Sequence, residues 1–370
     1  MKAVVCHGPG DVRVEDIDDP SPSVGEVKIE VLAVGVCHTD LNFATGAVAV
    51  PYPIVLGHEA AGRVLEVGPG VNTVNVGDHV LCSILGPCEQ CYQCLRGEPA
   101  LCERTPMFTG TMLDGTTRLS WRGGPIHTLH YQGSYAERAI VPERFVVPIR
   151  DDVPSHVVCG LACGIGTGLG AAMVRARVTP GATAVVVGSG GVGLSTMMGA
   201  RFCGATTVIA VDVLRHKVDK AIELGVATHG VDASTTDPVA TVLELTNGRG
   251  ADYGFDAVGV GGTLDQVIEA TRPGGTCLVI GRALGSVEIT IDTRILLRQR
   301  ILTGTYGGSI HPRRHLPEFV ELCMQGRLNL AGILDAHYSI DDAPQALEDL
   351  DKGRVTRGVI VMEQRSSLLG

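Results

Sequence analysis

Residues 185–212, VVVGSGGVGLSTMMGARFCGATTVIAVD, constrain the fold more than any other stretch of this chain. Val185, Val186 and Val187 form a β-branched run that reads as a buried strand. Gly188, Gly190 and Gly193 follow as G-x-G-x-x-G, with Gly191 and Val192 inside the motif. An uncharged helical stretch comes next, then a second strand at residues 208–211 that ends in Asp212. This is the first half of a dinucleotide-binding βαβ unit. Gly188 permits the tight turn, Gly190 lets backbone approach a pyrophosphate, and Gly193 lets the helix pack on the strand with its N–H groups facing phosphate. Asp212 is placed to accept hydrogen bonds from a ribose and would repel a 2′-phosphate, which favours NAD over NADP. A chain with 49 glycines produces such turns by chance, so a strand–helix turn without a ligand is the competing reading. The flanking strand, helix and acid favour the nucleotide.

With 370 residues the chain is expected to hold two domains. A formal charge of −10 argues against nucleic acid or an anionic membrane as the main partner. The N-terminus lacks the apolar core of a signal peptide. Residues 178–200 carry no charge, but they contain Pro180 and a strand–turn–helix pattern, so they read as core rather than as a membrane span. The expectation is a cytoplasmic protein.

The sequence holds twelve cysteines. Cys88, Cys91, Cys94 and Cys102 are spaced C-x2-C-x2-C-x7-C, close enough to surround one tetrahedral ion and leave no position for a substrate. That pattern predicts a structural zinc lobe at residues 87–102, with an iron–sulfur cluster as the competing reading. Cys6, Cys82, Cys159, Cys203, Cys277 and Cys323 lie in apolar surroundings and read as small core residues.

A second set of ligand types is scattered. Cys37 lies in GVCHTD, His58 and Glu59 in GHEAAG, and Cys163 in ACGIGTGLGA. Thiolate, imidazole and carboxylate are zinc ligands, although a buried cysteine or a hydrogen-bonded histidine is commoner than a ligand. Asp40 could orient His58 through its other ring nitrogen. Three protein ligands with one open position mark a catalytic rather than a structural zinc.

Short β-rich pieces fill residues 1–35, and residues 141–149 return to strand character. A buried helix is predicted over residues 159–173. Beyond Asp212, helices and strands alternate as far as a strand at 276–281, which predicts a parallel doubly wound sheet. A further strand is expected at 300–307, helices at 314–325 and 342–351, and a closing strand at 355–362. The tail is too small to fold alone and is expected to rejoin the N-terminal domain.

Taken together, GVCHTD, GHEAAG, the four-cysteine lobe, ACGIGTGLGA, VVVGSGGVG with Asp212, and GRVTRGVIVM resemble the zinc-dependent medium-chain alcohol dehydrogenases along essentially the whole chain. The segment DGTTRLSWRGGPIH is most similar to the liver-type and glutathione-dependent branch. The resemblance implies an α/β architecture: a GroES-like catalytic domain at residues 1–164 and 306–370, and a Rossmann NAD-binding domain at 165–305. It implies two zinc ions per chain, one held by Cys37, His58 and Cys163 with Glu59 close by, the other structural. Thr39 matches the hydroxyl that receives the alcohol proton. His38 and Arg357 match cations on the cofactor pyrophosphate, and Lys217 a lysine near the adenosine ribose. A homodimer through the strand at residues 301–306 is implied, with pairing into tetramers left open.

The implied activity is hydride transfer between a primary aliphatic or aromatic alcohol, or its aldehyde, and NAD. Zinc would act as the Lewis acid. Val48, Ile84, Leu129 and His130 are the expected substrate-pocket residues. Three positions depart from relatives. Asn42 replaces the histidine that ends the proton relay, Val48 stands where glutathione-dependent enzymes carry a carboxylate, and Arg282 replaces a small apolar residue near the nicotinamide. Arg282 reads either as a carboxylate or phosphate ligand or as a solvent-facing arginine. Oxidation of a thiol–formaldehyde adduct, an alcohol:acceptor oxidoreductase with tightly held NAD, and a non-catalytic nucleotide-binding protein are the alternatives.

Overall fold

The computed structural model describes residues 1–106, 108–282 and 284–362. The chain divides into two units. One comprises Met1–Cys163, His311–Met324 and Leu334–Gly370, the other Gly164–Ile310 and Gln325–Ile333.

The second unit is built on six parallel strands. Their order across the sheet is His229–Asp232, Thr207–Asp212, Thr183–Val187, Ala251–Asp256, Thr271–Val279 and Ile301–Gly304. Every residue of Thr183–Val187 is buried, as expected where helices cover both faces of a parallel sheet. Val185 pairs with Ile209 on one side and Gly254 on the other, so this strand is the centre of the sheet. Val185, Val187, Ile209, Val211, Val231, Val242 and Val267 form the core between sheet and helices. Asp237 caps the helix Pro238–Leu245, accepting hydrogen bonds from the Val239 and Ala240 N–H groups. Strand order reverses between Thr183–Val187 and Ala251–Asp256, which opens a crevice at the carboxyl ends of those two strands.

The first unit is β-rich. One sheet runs Asp11–Asp16, Lys2–Gly8, Ile54–Val55, Gly124–Thr128, Leu119–Trp121. The other runs Val146–Pro148, His79–Cys82, Ala60–Val67, Glu26–Gly35, Gly358–Val361, Ala336–Tyr338, with Arg138–Pro142 also pairing along Glu26–Gly35. The tail therefore joins the N-terminal sheet, Ile360 pairing with Val34. Gly62 lets two strands meet: a Cβ there would lie 2.0 Å from the Glu30 carbonyl oxygen.

Three expectations need correction. The helix predicted over 159–173 is broken. A 3-10 turn at Cys159–Ala162 stops at Cys163, whose φ of −140° and ψ of −92° are not helical, and helix resumes at Gly164–Gly170. The small, apolar composition that suggested one buried helix is also rich in glycine, which does not hold the chain on a continuous helical path. The strand predicted at 141–149 is interrupted by a turn at Glu143–Phe145. Finally, Gly164, residues 306–310 and Gln325–Ile333 belong to the second unit rather than to the first. The Arg327 guanidinium lies 4.5 Å from the centre of the Phe202 ring, and a Cβ on Gly332 would lie 2.5 Å from the Leu224 side chain. The last residues of the predicted 306–370 segment, 363–370, lie outside the described residues. Among those described, no single helix is long and apolar enough to cross a membrane.

Candidate metal and nucleotide sites

Cys37 begins the helix His38–Ala44, and Asp40 in its first turn accepts the Cys37 N–H at 3.2 Å. Asp40 is wholly buried, and its carboxylate organises the site. One oxygen accepts the Gly57 N–H at 2.8 Å and lies 3.1 Å from His58 Nδ1. The other accepts the Tyr135 hydroxyl at 3.0 Å. A carboxylate can only accept, so His58 carries a proton on Nδ1 and turns Nε2 toward the cluster. His58 Nε2 is buried without a hydrogen-bond partner among the described residues. A buried ring nitrogen is costly to leave in that state, and a metal ion would satisfy it. Burial and Asp40 together push the Tyr135 phenol well above its ordinary range, so it stays a neutral donor.

Ligand atoms of Cys37, His58, Glu59 and Cys163 all lie within 4.8 Å of one another. The Cys163 thiol donating to Cys37 holds Cys37 well below the ordinary thiol range. The same hydrogen bond, together with burial, pushes Cys163 well above it. The pair thus shares a proton that a divalent cation would displace. Two thiols, one imidazole and one carboxylate fit zinc. Glu59 is also paired with Arg357, both side chains being almost completely buried. Arg357 is thus placed at the metal cluster, beside a carboxylate whose pKa burial raises. Its Nε has no hydrogen-bond partner among the described residues.

Cys88, Cys91, Cys94 and Cys102 form the second cluster, their sulfurs also within 4.8 Å. The Cys88 N–H donates to Cys102 Sγ and the Cys91 N–H to Cys88 Sγ, both at 3.3 Å. Backbone donors aimed at sulfur stabilise thiolates. Hydrogen bonds, the Cys94 backbone first, bring Cys91 down to about 6, while desolvation pushes Cys94 up to about 12. The short helix Tyr92–Leu95 and the turn Pro99–Leu101 carry this lobe.

Among the expected pocket residues the placements differ. Thr39 lies half-buried in the first turn of the Cys37 helix, with His38 exposed beside it. Val48 packs on the core from outside, its N–H donating to the Asn42 carbonyl oxygen. Ile84 is half-buried and donates its N–H to Ala162. Leu129, expected in the substrate pocket, is instead a core residue at 1% exposure. The turn that follows Thr128 swings Leu129 inward. His130 has a left-handed backbone, with φ at 49°, and its ring centre stands 5.1 Å from that of His58. Phe108 meets His130 edge-on at 4.8 Å and Phe43 at 5.2 Å. Tyr135, Phe108 and the Glu59–Arg357 pair went unread in the sequence. Tyr135 is 95 positions from Asp40 and Arg357 is 298 from Glu59, so no local spacing announces them.

In the second unit, Gly188 has φ of 97°, open to glycine at no steric cost. A Cβ on Gly193 would lie 1.7 Å from the Gly188 carbonyl oxygen, whereas one on Gly190 would meet nothing within 4 Å. The first contact closes the helix onto the turn; the second leaves backbone accessible to a phosphate group. Helix Gly191–Phe202 starts there, its first N–H groups without intrahelical partners. Asp212 ends its strand, with one oxygen accepting the Ser189 N–H at 2.7 Å and the other the Leu214 N–H at 2.9 Å. Each oxygen keeps acceptor capacity for a ribose hydroxyl. These residues fit a dinucleotide. Lys217 is half-buried on the helix Arg215–Glu223, and Arg282 is exposed beyond Thr271–Val279.

Residues 23–151 match the family described as Alcohol dehydrogenase GroES-like domain, and residues 191–325 that described as Zinc-binding dehydrogenase. The chain is 34% identical to the NDMA-dependent alcohol dehydrogenase of Amycolatopsis methanolica over 97% of this chain and 98% of the relative. It is also 34% identical to the S-(hydroxymethyl)glutathione dehydrogenase of Paracoccus denitrificans, with the same coverage. Among solved structures, benzyl alcohol dehydrogenase from Acinetobacter calcoaceticus matches with a TM-score of 0.92 at 34% identity, covering 98% of this chain and 99% of that one.

Proposed function

The chain belongs to the zinc-dependent medium-chain alcohol dehydrogenase family, and on that premise we propose that it oxidises a primary aliphatic or aromatic alcohol, or reduces the aldehyde, with NAD. The observation that carries this reading is the set Cys37, His58 and Cys163, with His58 Nε2 buried, turned toward the thiols and the Glu59 carboxylate, and without a hydrogen bond of good geometry among the described residues. Cys37, His58 and Cys163 would hold a catalytic zinc, with Glu59 beside it, and Cys88, Cys91, Cys94 and Cys102 a structural one. A bound zinc supplies Lewis acidity that brings an alcohol proton within reach of neutral pH, and NAD accepts the hydride.

The residues of the chain do the rest. Asp40 fixes the tautomer and orientation of His58. Thr39, two residues from Cys37, offers a hydroxyl that can take the substrate proton and pass it outward. Asn42 one turn further on can orient water but cannot act as a base near neutral pH, so the outer relay runs through solvent. Arg357 offsets the Glu59 charge, which leaves the cluster less negative. Asp212 would read the adenosine ribose with Lys217 near it, and the Gly188–Gly190–Gly193 turn would hold the pyrophosphate. Phe108 and His130 bring aromatic rings next to His58, which supports an aromatic alcohol. The aromatic substrate named for the Acinetobacter relative points the same way.

A second reading, oxidation of an S-hydroxymethyl thiol adduct, is supported by the Paracoccus relative and opposed by the apolar Val48. A homodimer through Ile301–Gly304 is supported by the edge position of that strand and by Ile301, which is 55% exposed. Twelve free cysteines support a cytoplasmic setting. Zinc analysis followed by NADH absorbance over a panel of alcohols and aldehydes, with and without thiols, tests the reading. About two zinc per chain with turnover of a simple or aromatic alcohol is expected for one structural and one catalytic site. Activity only with a thiol adduct would replace it with the second reading.

A further inference from the structure

Among the described residues, the nucleotide unit holds one buried carboxylate that the reading above leaves unused. Asp256 is the last residue of Ala251–Asp256 and is 1% exposed. One of its oxygens accepts the Val258 and Gly259 N–H groups, both at 3.0 Å, and the other lies 3.2 Å from the Thr263 hydroxyl, which also reaches the Val260 carbonyl oxygen at 2.8 Å. Its carbonyl oxygen accepts the Ile280 and Gly281 N–H groups at 2.9 Å. A single residue therefore ties the loop at 257–262 to the end of Thr271–Val279. The two segments approach backbone to backbone. A Cβ on Gly259, which has φ of 78°, would lie 2.5 Å from the Gly281 carbonyl carbon, and one on Gly281 would lie 2.3 Å from that of Val258. The loop also meets the phosphate turn, because a Cβ on Gly188 would lie 2.6 Å from Val258 Cγ2.

This junction sits where strand order reverses, the place where a dinucleotide crosses an open parallel sheet. Asp212 places the adenosine half over the Thr207–Asp212 side, so the nicotinamide half falls over Ala251–Asp256 and Thr271–Val279. We infer that Asp256 is a positioning residue for the nicotinamide half of the cofactor, its carboxylate holding residues 257–262 in the shape against which that half lies. The inference rests on the NAD reading. Its cost when removed is specific, since the Val258 and Gly259 N–H groups lose their acceptor and the Thr263 hydroxyl keeps only the Val260 carbonyl oxygen, while the Asp212 side of the sheet keeps every contact.

The test is calorimetric titration of the zinc-loaded protein with NADH and, separately, with ADP-ribose, which lacks the nicotinamide. Asp256→Ala is expected to weaken NADH by about tenfold or more while ADP-ribose changes by less than about threefold. Asp256→Asn is expected to restore NADH binding to within about threefold, because its amide oxygen accepts the two N–H groups and its amide nitrogen meets Thr263. Thr263→Val removes one donor without orphaning backbone, so it should show the same split at about two- to fivefold even where the alanine variant fails to fold. Equal losses for both ligands in these variants, or parental NADH affinity in Asp256→Ala, overturn the positioning role. A parent protein that binds neither ligand overturns the NAD reading, and this inference with it.

Discussion

Asp40→Asn is the perturbation that separates a structural carboxylate from one that serves the metal. In the parent, four donors converge on a wholly buried carboxylate: the Cys37 and Gly57 N–H groups, His58 Nδ1–H and the Tyr135 hydroxyl. The amide oxygen of asparagine can keep Gly57 and His58. Its NH2 group then faces the other two donors. The Tyr135 hydroxyl can turn to accept from it, since Gly35 O lies 3.3 Å away as an alternative acceptor for the phenol proton. The Cys37 N–H cannot adapt and is left facing a donor. One buried orphan costs about 1–3 kcal/mol, and the remaining bonds lose roughly half their strength with the charge. The sum is about 2–4 kcal/mol, or roughly 4–16 °C in Tm for a unit of this size. The functional signature is separate: loosening His58 should weaken its zinc by about 10–100-fold and leave the four-cysteine zinc untouched. Stepwise competition with a chelator, followed by a metallochromic indicator, reads both ions in one experiment. The reasoning is refuted if Tm falls while both zinc ions leave as they do from the parent protein.

Other expectations follow from individual contacts. Gly193→Ala places a methyl group against the Gly188 carbonyl oxygen, and NADH affinity should fall by about a hundredfold or more with zinc content unchanged. Cys94→Ser should cut zinc from about two to about one per chain and raise proteolysis in the lobe, since a structural site needs all four ligands; retention of both ions would count against a four-cysteine site. Asp237→Ala removes the acceptor for two N–H groups at a helix start and should cost about 1 kcal/mol, read as a drop of roughly 2–4 °C in Tm with unchanged kinetics. Thr39→Val should lower kcat while NADH affinity stays within about threefold, and Thr39→Ser should restore turnover, because only the hydroxyl is asked to move a proton.

Much of this molecule is legible from the order of its residues alone. Val185–Val187, three glycines and Asp212 determine a strand, a turn and an acid within one βαβ unit, because each requirement is local: a positive φ, a close approach, a fixed rise per residue. Four cysteines spaced within one lobe point to a candidate metal cluster for a similar reason, since their short separations let the four sulfurs converge on one ion. The alternation of helices and strands dictates a parallel sheet, though it does not register that Gln325–Ile333 returns to that unit. Only tertiary structure decides the rest. Cys37, His58 and Cys163 lie on three separate stretches of chain, and no periodicity relates them. The break at Cys163 is likewise invisible locally, since a glycine-rich, small-residue stretch does not say where helix stops and resumes. The inward turn of Leu129, the reach of Tyr135 to Asp40 and the pairing of Arg357 with Glu59 depend on which backbones the two sheets bring together. A buried charge must find its partner wherever the fold places one, and sequence distance carries no information about that.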